Sequence, residues 1–457
     1  MLGSVDNKLI VGAPARDAKR DGRRLAWRPT TPLVLRLGML LACVPVVLVG
    51  LAVRVAIERN DAAIDTVGED ATRGITVAQE IKTNLAELDQ LVVTGLLPDT
   101  TSGPGRAYAA KRRDVMDSLT RASAETSSSA AYRDALVNLD YALGHYHSLV
   151  AESLAAQAAG DHTAAVERYQ QAHEVMAATL LPEADFVDKA NTYLLNTTFD
   201  RHADEATDSR RTVLLAGIVA AAVLVLAQVL LVVKFRRTVN PALLVATLLI
   251  AALGITVIHD LDVSADKLQS ATDESFEAVH ALARARAVAV SARQAEAQWL
   301  LEQNGDNEQA IDGALNRLFR VPDGDIARAG AQPELPDDAG GFLAAAVFAG
   351  GNTPSAAGRD ALGPFTRYLE DDQALRRTAV NQGVDAALPQ FRTQTAYGTL
   401  VDAIDRAQAA EQAAFDDSTR DARNATDRER TLAVAVTAAV VLLALGGLYA
   451  RLREYRG

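Results

Sequence analysis

The chain has 457 residues, a net charge of −12 and a single cysteine. One cysteine excludes an intramolecular disulfide, so the stability of the fold has to come from packing. Aromatic residues are few, alanine, leucine and valine are abundant, and the short alternating patterns of β-strands are almost absent. The composition therefore predicts a helical protein that is long enough for more than one domain.

Four apolar stretches each approach the ~20 residues that a helix needs to cross a membrane. They cover residues 32–53, 213–233, 241–258 and 431–450, and we interpret all four as transmembrane helices. A cleaved signal peptide is the alternative for the first, but Arg54 follows it where a small-residue cleavage site is needed.

Cys43 ends a short LLAC sequence that resembles a lipid-attachment box. Because the apolar run continues past it, we interpret Cys43 as a plain membrane cysteine.

The distribution of charge predicts how these spans are oriented. Lysine and arginine in short flanking segments stay in the cytoplasm, and basic residues crowd the tail 1–31, the hairpin 234–240 and the tail 451–457. All but four of the acidic residues lie instead in the two long segments, 54–212 and 259–430. We therefore expect a multi-pass protein of the bacterial plasma membrane with cytoplasmic termini and two acidic extracytoplasmic domains.

The first long segment predicts an up-down-up-down bundle of four helices. Apolar residues from Ile64 to Val92 recur at alternating spacings of three and four, which is the pattern of a coiled-coil seam. This indicates a straight first helix of about forty residues. The turn at 98–105 ends it, Gly160 and Asp161 separate the third helix from the fourth, and Pro182 is expected to kink the fourth.

The second long segment repeats this plan. The phrase Ala-Thr-Asp-x-x-Arg-Thr precedes an apolar stretch at Ala206 and again at Ala425, so we interpret the chain as an internal duplication, with chance similarity of alanine-rich helices as the alternative. Residues 321–364 form an insertion whose apolar piece begins at Phe342. Packing of that piece on the bundle is favoured over a partner surface. The predicted fold is an all-α membrane protein with four transmembrane helices and two extracytoplasmic helical bundles.

No catalytic constellation stands out in the sequence. His145 and His147 are two residues apart, which places them on different faces of a helix, unlike a metal-binding pair. We interpret them, and the acidic pairs 371–372 and 416–417, as solvated helix faces. Gln228 is the only strongly polar side chain deep in a span, which argues against a transporter. We therefore expect no enzyme, no cofactor, no metal and no nucleic-acid partner.

Two sets of residues are candidate contacts. The first is basic and cytoplasmic, where a protein partner would dock: Lys234, Arg236, Arg237, Arg23 and Arg24. Orientation signals and attraction to anionic lipid explain these residues equally well. The second is a candidate ligand cluster in the second unit: Arg293, Gln298 and Trp299. A tryptophan packed in the core is the alternative for that cluster.

Long helices that run directly into spans resemble the four-helix ectodomains of bacterial chemoreceptors and sensor kinases, here doubled and without cytoplasmic signalling parts. In its length, short basic tail, paired outside domains and tight KFRRTVN hairpin, the chain also resembles the GlnX-like family of actinobacterial four-span membrane proteins. That resemblance implies a relay between an extracytoplasmic glutamine-binding lipoprotein and the soluble serine/threonine protein kinase G, with ligand recognition mostly in the lipoprotein.

Three functions remain open at this point. The first is a signal relay, concerned with amino-acid sensing, that couples an extracytoplasmic solute-binding lipoprotein to a cytoplasmic kinase or other effector. The second is a direct sensor that binds a small molecule in its own bundles, and the third is an envelope scaffold that does not switch. The sequence leaves open the ligand, the sign of the signal and the oligomeric state, a homodimer included.

Overall fold

The computed structural model describes residues 31–66, 72–98, 105–124, 129–235, 241–302, 305–321, 326, 335–349 and 355–454. Within these residues the chain is helical and forms no strand; one isolated bridge joins Arg320 to Gly340. The predicted all-α fold is confirmed. Most of the predicted basic tails and of the hairpin, at residues 1–30, 236–240 and 455–457, lies outside the described residues.

The first half of the chain forms long helices joined by short connections. They are α1 (Thr31–Asp65), α2 (Thr72–Leu96), α3 (Gly105–Ala124), α4 (Ala130–Ala158), α5 (His162–Val175) and α6 (Leu181–Phe235). The second half contains both long and short helices. They are α7 (Pro241–Ser270), α8 (Glu277–Glu302), α9 (Gly305–Leu318), α10 (Phe342–Phe348), α11 (Ala356–Asp360), α12 (Leu362–Gln382), α13 (Val384–Thr393) and α14 (Ala396–Glu454).

Local chemistry explains the break between α4 and α5. Gly160 has a φ of +80°, a left-handed conformation that glycine adopts without steric cost. Asp161 then caps α5, since its carboxylate accepts a hydrogen bond from the backbone N–H of Ala164 at 3.1 Å. Ser129 caps α4 in the same way through the N–H of Tyr132, at 3.2 Å. The predicted boundary at residues 160 and 161 is confirmed.

A π-helical segment, Met176–Leu180, joins α5 to α6 immediately before Pro182. Proline has no N–H to donate and its ring clashes with the carbonyl four residues earlier, and a wider turn relieves that clash without ending the helix. In place of the expected kink at Pro182, the helix widens locally and continues. A second π-helical segment, Ala271–Phe276, joins α7 to α8.

The two units share one hydrophobic core in the part of the molecule that we call the head, residues 72–200 and 277–415. Leu85 and Leu88 of α2 belong to the same buried cluster as Leu282 and Ala289 of α8 and Leu400 of α14. The helix α2 packs along α8, and each also packs on the long helix of its own unit, α6 or α14. The two acidic segments thus form one joined body rather than two separate bundles.

A second apolar cluster, the span bundle, joins α1, α6, α7 and α14. Around this bundle α1 packs on α6, α6 on α7, α7 on α14, and α14 on α1. Among the described residues three helices are long and apolar enough to cross a membrane: His162–Val229, Pro241–Lys267 and Val384–Gly446. The first predicted span lies in α1, but its side chains up to residue 42 are outside the described part of the chain.

The insertion packs on the head as the sequence favoured. Leu343, Ala346 and Val347 of α10 are buried against α8 and belong to the shared core. Gly341 begins this helix with a φ of +94°, and a Cβ at this position would lie 2.7 Å from the carbonyl oxygen of Leu318. Only glycine therefore fits at this crossing.

Candidate functional site

The contact between the two units, which we call the seam, contains buried charged groups rather than apolar side chains alone. Asp89 of α2 has no exposed surface. Its carboxylate accepts hydrogen bonds from Tyr146 at 3.0 Å, from Nδ1 of His173 at 2.8 Å and from the amide of Gln294 at 2.5 Å. A buried carboxylate is tolerated only when donors surround it, and one of these donors comes from the second unit.

His173 responds to that carboxylate. Burial alone would lower the pKa of His173, but the hydrogen bond and the charge of Asp89, helped by Glu302, outweigh burial and raise the pKa above its usual value. The imidazolium form is therefore favoured beside Asp89. His173 lies on α5, so this ion pair holds α5 to α2 at the point where Gln294 arrives from α8.

A second charged cluster lies nearer the span bundle and centres on Asp188 of α6, which is also fully buried. His280 Nε2 donates to one oxygen of Asp188 at 3.1 Å, and Arg284 Nη2 donates to the other at 2.9 Å. Burial would raise the pKa of Asp188, but the hydrogen bonds and charge of these partners lower it to about 2. Both donors belong to α8, so an ion pair across the seam holds α6 to the second unit.

A cleft of about 810 Å³ opens beside these clusters between α2, α3, α8 and α14. Its walls carry three guanidinium groups, from Arg73, Arg121 and Arg286, and three acidic groups, from Glu80, Asp405 and Asp416. A smaller pocket of about 80 Å³ shares Thr76, Glu80, Arg286 and Gln408 with the cleft and reaches Gln79 and His280. The cleft is therefore polar, carries both signs of charge, and adjoins the Asp188 cluster.

Arg286 links the cleft to the seam. Its guanidinium lies 2.9 Å from Glu87 of α2 and 2.7 Å from Asp405 of α14. Arg121 and Glu80 form an ion pair at the opposite wall. A ligand or a docking protein segment that entered the cleft would compete for these pairs, and would thereby act on the relative position of α2, α8 and α14.

Between head and span bundle, polar side chains tie the helices of the two units together. The amide of Asn60 on α1 donates to Ser264 of α7 at 3.1 Å and to Thr426 of α14 at 3.0 Å. Thr426 belongs to the second copy of the repeated phrase. Its counterpart in the first copy, Thr207, lines a cavity of about 590 Å³ between α1, α6 and α7. Both copies of the repeated phrase thus lie between the head and the span bundle, where helices of the two units meet.

Within the spans, Gln228 of α6 donates to the hydroxyl of Thr247 on α7 at 3.1 Å. This is a hydrogen bond between the last span of the first unit and the first span of the second. In an apolar surrounding such a bond fixes the register of two helices, because neither group has water as an alternative partner. The polar side chain that the sequence singled out is therefore an inter-unit contact.

The structure separates the residues of the predicted ligand cluster. Arg293 is buried and its guanidinium donates to Glu296 at 2.8 Å and to the carbonyl of Phe391 at 2.5 Å, while it lies over the Phe391 ring at 3.5 Å. Trp299 is buried in the shared core, as its alternative predicted. Gln298 is buried as well. Arg293 therefore holds α13 to α8, and none of the three lines the cleft or its pocket.

Most of the basic candidate contacts cannot be placed on this framework. Arg23, Arg24, Arg236 and Arg237 lie outside the described residues, and of Lys234 only the backbone, within α6, is described. These residues stay predictions.

Two expectations about polar side chains are wrong. Asp372 is fully buried and bound to Arg376 at 2.6 Å, although its neighbour Asp371 is partly exposed. His147 is half-buried and contacts Tyr108 through Nδ1 at 2.7 Å; burial, helped by Arg112, lowers the pKa of His147 to about 4. Asp416 and Asp417 are exposed, as expected. Adjacent helical positions differ by about 100°, so one member of a charged pair can be buried, as Asp372 is, while its neighbour faces outward.

Sequence reasoning also missed Asp89 and Asp188. Asp89 directly follows Leu88 of the predicted coiled-coil pattern but lies between Glu87 and Gln90. Asp188 lies between Asp185 and Lys189, so no local pattern singles out either residue. A charged residue beside a coiled-coil pattern is normally exposed. Asp89 is buried only because α8 packs against α2. The partner helix comes from more than 180 residues away along the chain, so local periodicity does not reveal it.

Part of the chain matches a known protein family. Residues 63–200, which cover most of the first unit, match the family model described as the actinobacterial sensor domain. No curated protein and no solved structure gives a significant match to the chain. The match supports a sensing or signalling role for this membrane protein, and it agrees with the actinobacterial character of the resemblance noted from the sequence.

Proposed function

Because its first unit is similar to the actinobacterial sensor domain, we propose that the chain is a transmembrane signal relay that performs no enzymatic reaction. The observation that carries the proposal is the position of Asp188. This residue bonds to His280 and Arg284 of the second unit and lies on α6, the helix that continues from the head to Phe235. A change in the seam therefore acts directly on a helix that enters the membrane.

The physical step is a small displacement of α8 against α2 and α6. Shifts of about 1–2 Å are the usual size of such helix movements. A shift of that size is enough to break hydrogen bonds of 2.9 and 3.1 Å at Asp188. Since a buried carboxylate without partners is costly, the seam favours discrete arrangements over a continuous slide. Two discrete arrangements are what a relay requires.

The input and output of this relay are proposed from the resemblance to GlnX-like proteins. The head would lie outside the plasma membrane and receive a solute-binding lipoprotein concerned with amino-acid sensing. The output would be a cytoplasmic serine/threonine kinase, docking on the basic residues Lys234, Arg236, Arg237, Arg23 and Arg24. Anionic lipid would compete for the same basic residues.

Crosslinking in intact cells tests the relay. A photoreactive side chain at Ala409, exposed in the wall of the cleft, and a second one at Lys234 are expected to capture an outside lipoprotein and an inside kinase, respectively. The same probe at Tyr141, which is 83% exposed on α4, serves as the control for non-specific capture. Capture of cell-wall synthesis proteins at Ala409 and Lys234, but not at Tyr141, would support a scaffold and contradict the relay.

The cleft favours a second candidate function, a direct sensor. Its volume of about 810 Å³ and its walls of both charges suit a small polar ligand. Calorimetry of the full-length protein with amino acids and other polar solutes tests this candidate. Heat on mixing without any lipoprotein, abolished by Ala409→Trp in the cleft and kept by Ala410→Trp outside it, would favour the direct sensor. No heat with any solute would leave the relay as the better account.

A further inference from the structure

Two carboxyl groups lie together in the core of the second unit without enough hydrogen-bond donors. Glu296 of α8 and Asp372 of α12 have no exposed surface, and their carboxyl groups are within hydrogen-bonding reach of each other. Ionised carboxylates only accept hydrogen bonds. Two of them side by side in the interior would repel each other and lack donors. The arrangement therefore needs a chemical explanation.

One oxygen of each group has a partner. Arg293 Nη1 donates to Glu296 Oε2 at 2.8 Å, and Arg376 Nη2 donates to Asp372 Oδ2 at 2.6 Å. The other oxygens, Glu296 Oε1 and Asp372 Oδ1, have no hydrogen bond within the described chain. Native proteins rarely leave buried acceptors in this state.

The surrounding side chains cannot supply both missing donors. Arg293 is held by the carbonyl of Phe391 and by Gln394, and it stacks over the Phe391 ring. Arg376 also pairs with Asp312 of α9 at 2.9 Å and lies 3.8 Å from Glu308. The hydroxyl of Tyr368 has no hydrogen bond of its own within the described chain and influences Glu296 from nearby, but it offers one hydrogen for two oxygens. One acceptor is therefore still without a donor.

A single proton on one of the two carboxyl groups supplies the missing hydrogen-bond donor. If Glu296 is protonated, its O–H donates to Asp372, the hydroxyl of Tyr368 donates to Glu296, and one of two like charges disappears. Burial, reinforced by the charge of Asp372 against that of Arg293, raises the pKa of Glu296 to about 7. Burial also raises the pKa of Asp372, with Arg376 opposing it. The electrostatics of the cluster thus agree with its hydrogen-bond requirement.

We propose that Glu296 and Asp372 share one proton at acidic to neutral pH, and that loss of this proton at higher pH loosens α8 from α12. A looser α8 would also affect the seam, because α8 carries Gln294, whose amide donates to Asp89. The second unit is therefore a pH-responsive element of the head. This inference stands independently of the proposed relay, since it concerns the packing of two helices and no partner.

Infrared spectroscopy of the full-length protein in detergent tests the shared proton. Wild-type protein at about pH 6 is expected to show the carbonyl stretch of a buried protonated carboxyl group, and to lose it by about pH 9. Glu296→Gln imitates the protonated form and should remove the band at both pH values while the protein stays folded. Glu370→Gln, an exposed position on α12, should keep it.

A second variant and a second readout cover the case in which Glu296→Gln does not fold. The amide of Asp372→Asn donates to Glu296, which then ionises more readily, so the band is expected to vanish. Thermal unfolding should show wild-type stability falling as pH rises from about 4.5 through about 7, with a flatter profile in Glu296→Gln. Absence of the band in wild-type protein at about pH 6, or its persistence in both variants, overturns the proposal.

Discussion

Single carboxylates in the seam determine which side chains can meet across it. Asp89 and Asp188 are each fully buried. Asp89 accepts hydrogen bonds from α4, α5 and α8, and Asp188 accepts two from α8. A buried charge tolerates few alternative arrangements, because any shift that removes a donor leaves the charge uncompensated. These residues therefore fix the register of α2 and α6 against α8 more strictly than apolar contacts would.

Asp188→Asn tests this role at the seam. The change leaves Arg284 and His280 without a charged partner in the interior, and breaking a buried pair in this way typically costs about 3–5 kcal/mol. Chemical unfolding of the full-length protein should report a loss of that size. Asp185→Asn, one turn earlier at a partly exposed ion pair with Lys82, should cost less than about 1 kcal/mol. Equal losses would refute the special role of Asp188.

The two charged clusters predict opposite effects of pH on the stability of the fold. The pKa of His173 is raised in the folded protein, so its contribution to stability is full below its ordinary value and is lost as pH rises through the folded value. The pKa of Asp188 is lowered to about 2. Its contribution is present above the ordinary aspartate value and is lost as pH falls toward about 2.

Thermal unfolding across this range separates the two effects. His173→Gln should reduce the loss of thermal stability that occurs as pH rises above 6.5. It should leave the pH dependence of stability below that value unchanged. Asp188→Asn should reduce only the loss of thermal stability at acidic pH. A variant that changed both sides equally would show that the clusters do not titrate independently.

At the residue scale, the sequence predicts chemistry better than it predicts exposure. A core position is the safer expectation for Trp299, which lies there, whereas the expectation of a solvated Asp372 is wrong because that residue is buried. The difference has a physical cause. An apolar side chain carries its own reason for burial, while an acid is buried only if a partner such as Arg376 arrives from another turn or helix.

At the scale of helices, close contact between α1 and α14 depends on one glycine. A Cβ on Gly50 would lie 2.6 Å from the methyl group of Thr437, which is closer than real contacts allow. Gly50 is buried to an intermediate degree within the span bundle. The position therefore acts as the small residue that lets α1 and α14 approach each other.

Gly50→Ala is expected to push α1 away from α14 and to destabilise the span bundle by about 1–3 kcal/mol, the usual cost of overpacking. Gly217→Ala is the matched control, because a methyl group added at Gly217 would meet no neighbouring atom within 4 Å and alanine favours a helix by up to about 1 kcal/mol. Thermal unfolding in detergent measures both. A Gly50→Ala protein as stable as the Gly217→Ala protein would contradict the close contact.

Most helices of the first unit follow from local sequence. The predicted break at residues 160 and 161 agrees with the end of α4 and the start of α5, since capping residues and glycine act locally. The π-helical segments did not follow, although Pro182 marked the site of one. The pairing of α2 with α8 was also missed, because both sides of that contact read as ordinary amphipathic helices.

At the scale of the whole molecule, the shared core predicts that neither unit is self-sufficient. Coexpression of two chains, one ending at Phe235 and one beginning at Pro241, should yield a complex that copurifies, because apolar surface in both the head and the span bundle crosses this division. Each chain expressed alone should aggregate or be degraded. Soluble, folded single halves in detergent would show that the core is divided after all.

Adding Asp188→Asn to the first chain should weaken the complex of the two halves. Asp185→Asn should leave it unchanged. Size-exclusion chromatography of the coexpressed pairs measures this directly. If the Asp188→Asn complex is as stable as the unaltered one, the apolar core alone holds the units together.

The joining of two unlike units on one chain has a consequence for stoichiometry. In a pair of identical subunits each surface occurs twice, and a substitution alters both copies at once. Here the cleft between α2, α3, α8 and α14 is built from non-equivalent walls, so it occurs once per molecule. If the cleft binds a ligand, one ligand per polypeptide is the expected ratio. Within a single chain the saturation curve should be hyperbolic, since cooperativity requires more than one coupled site.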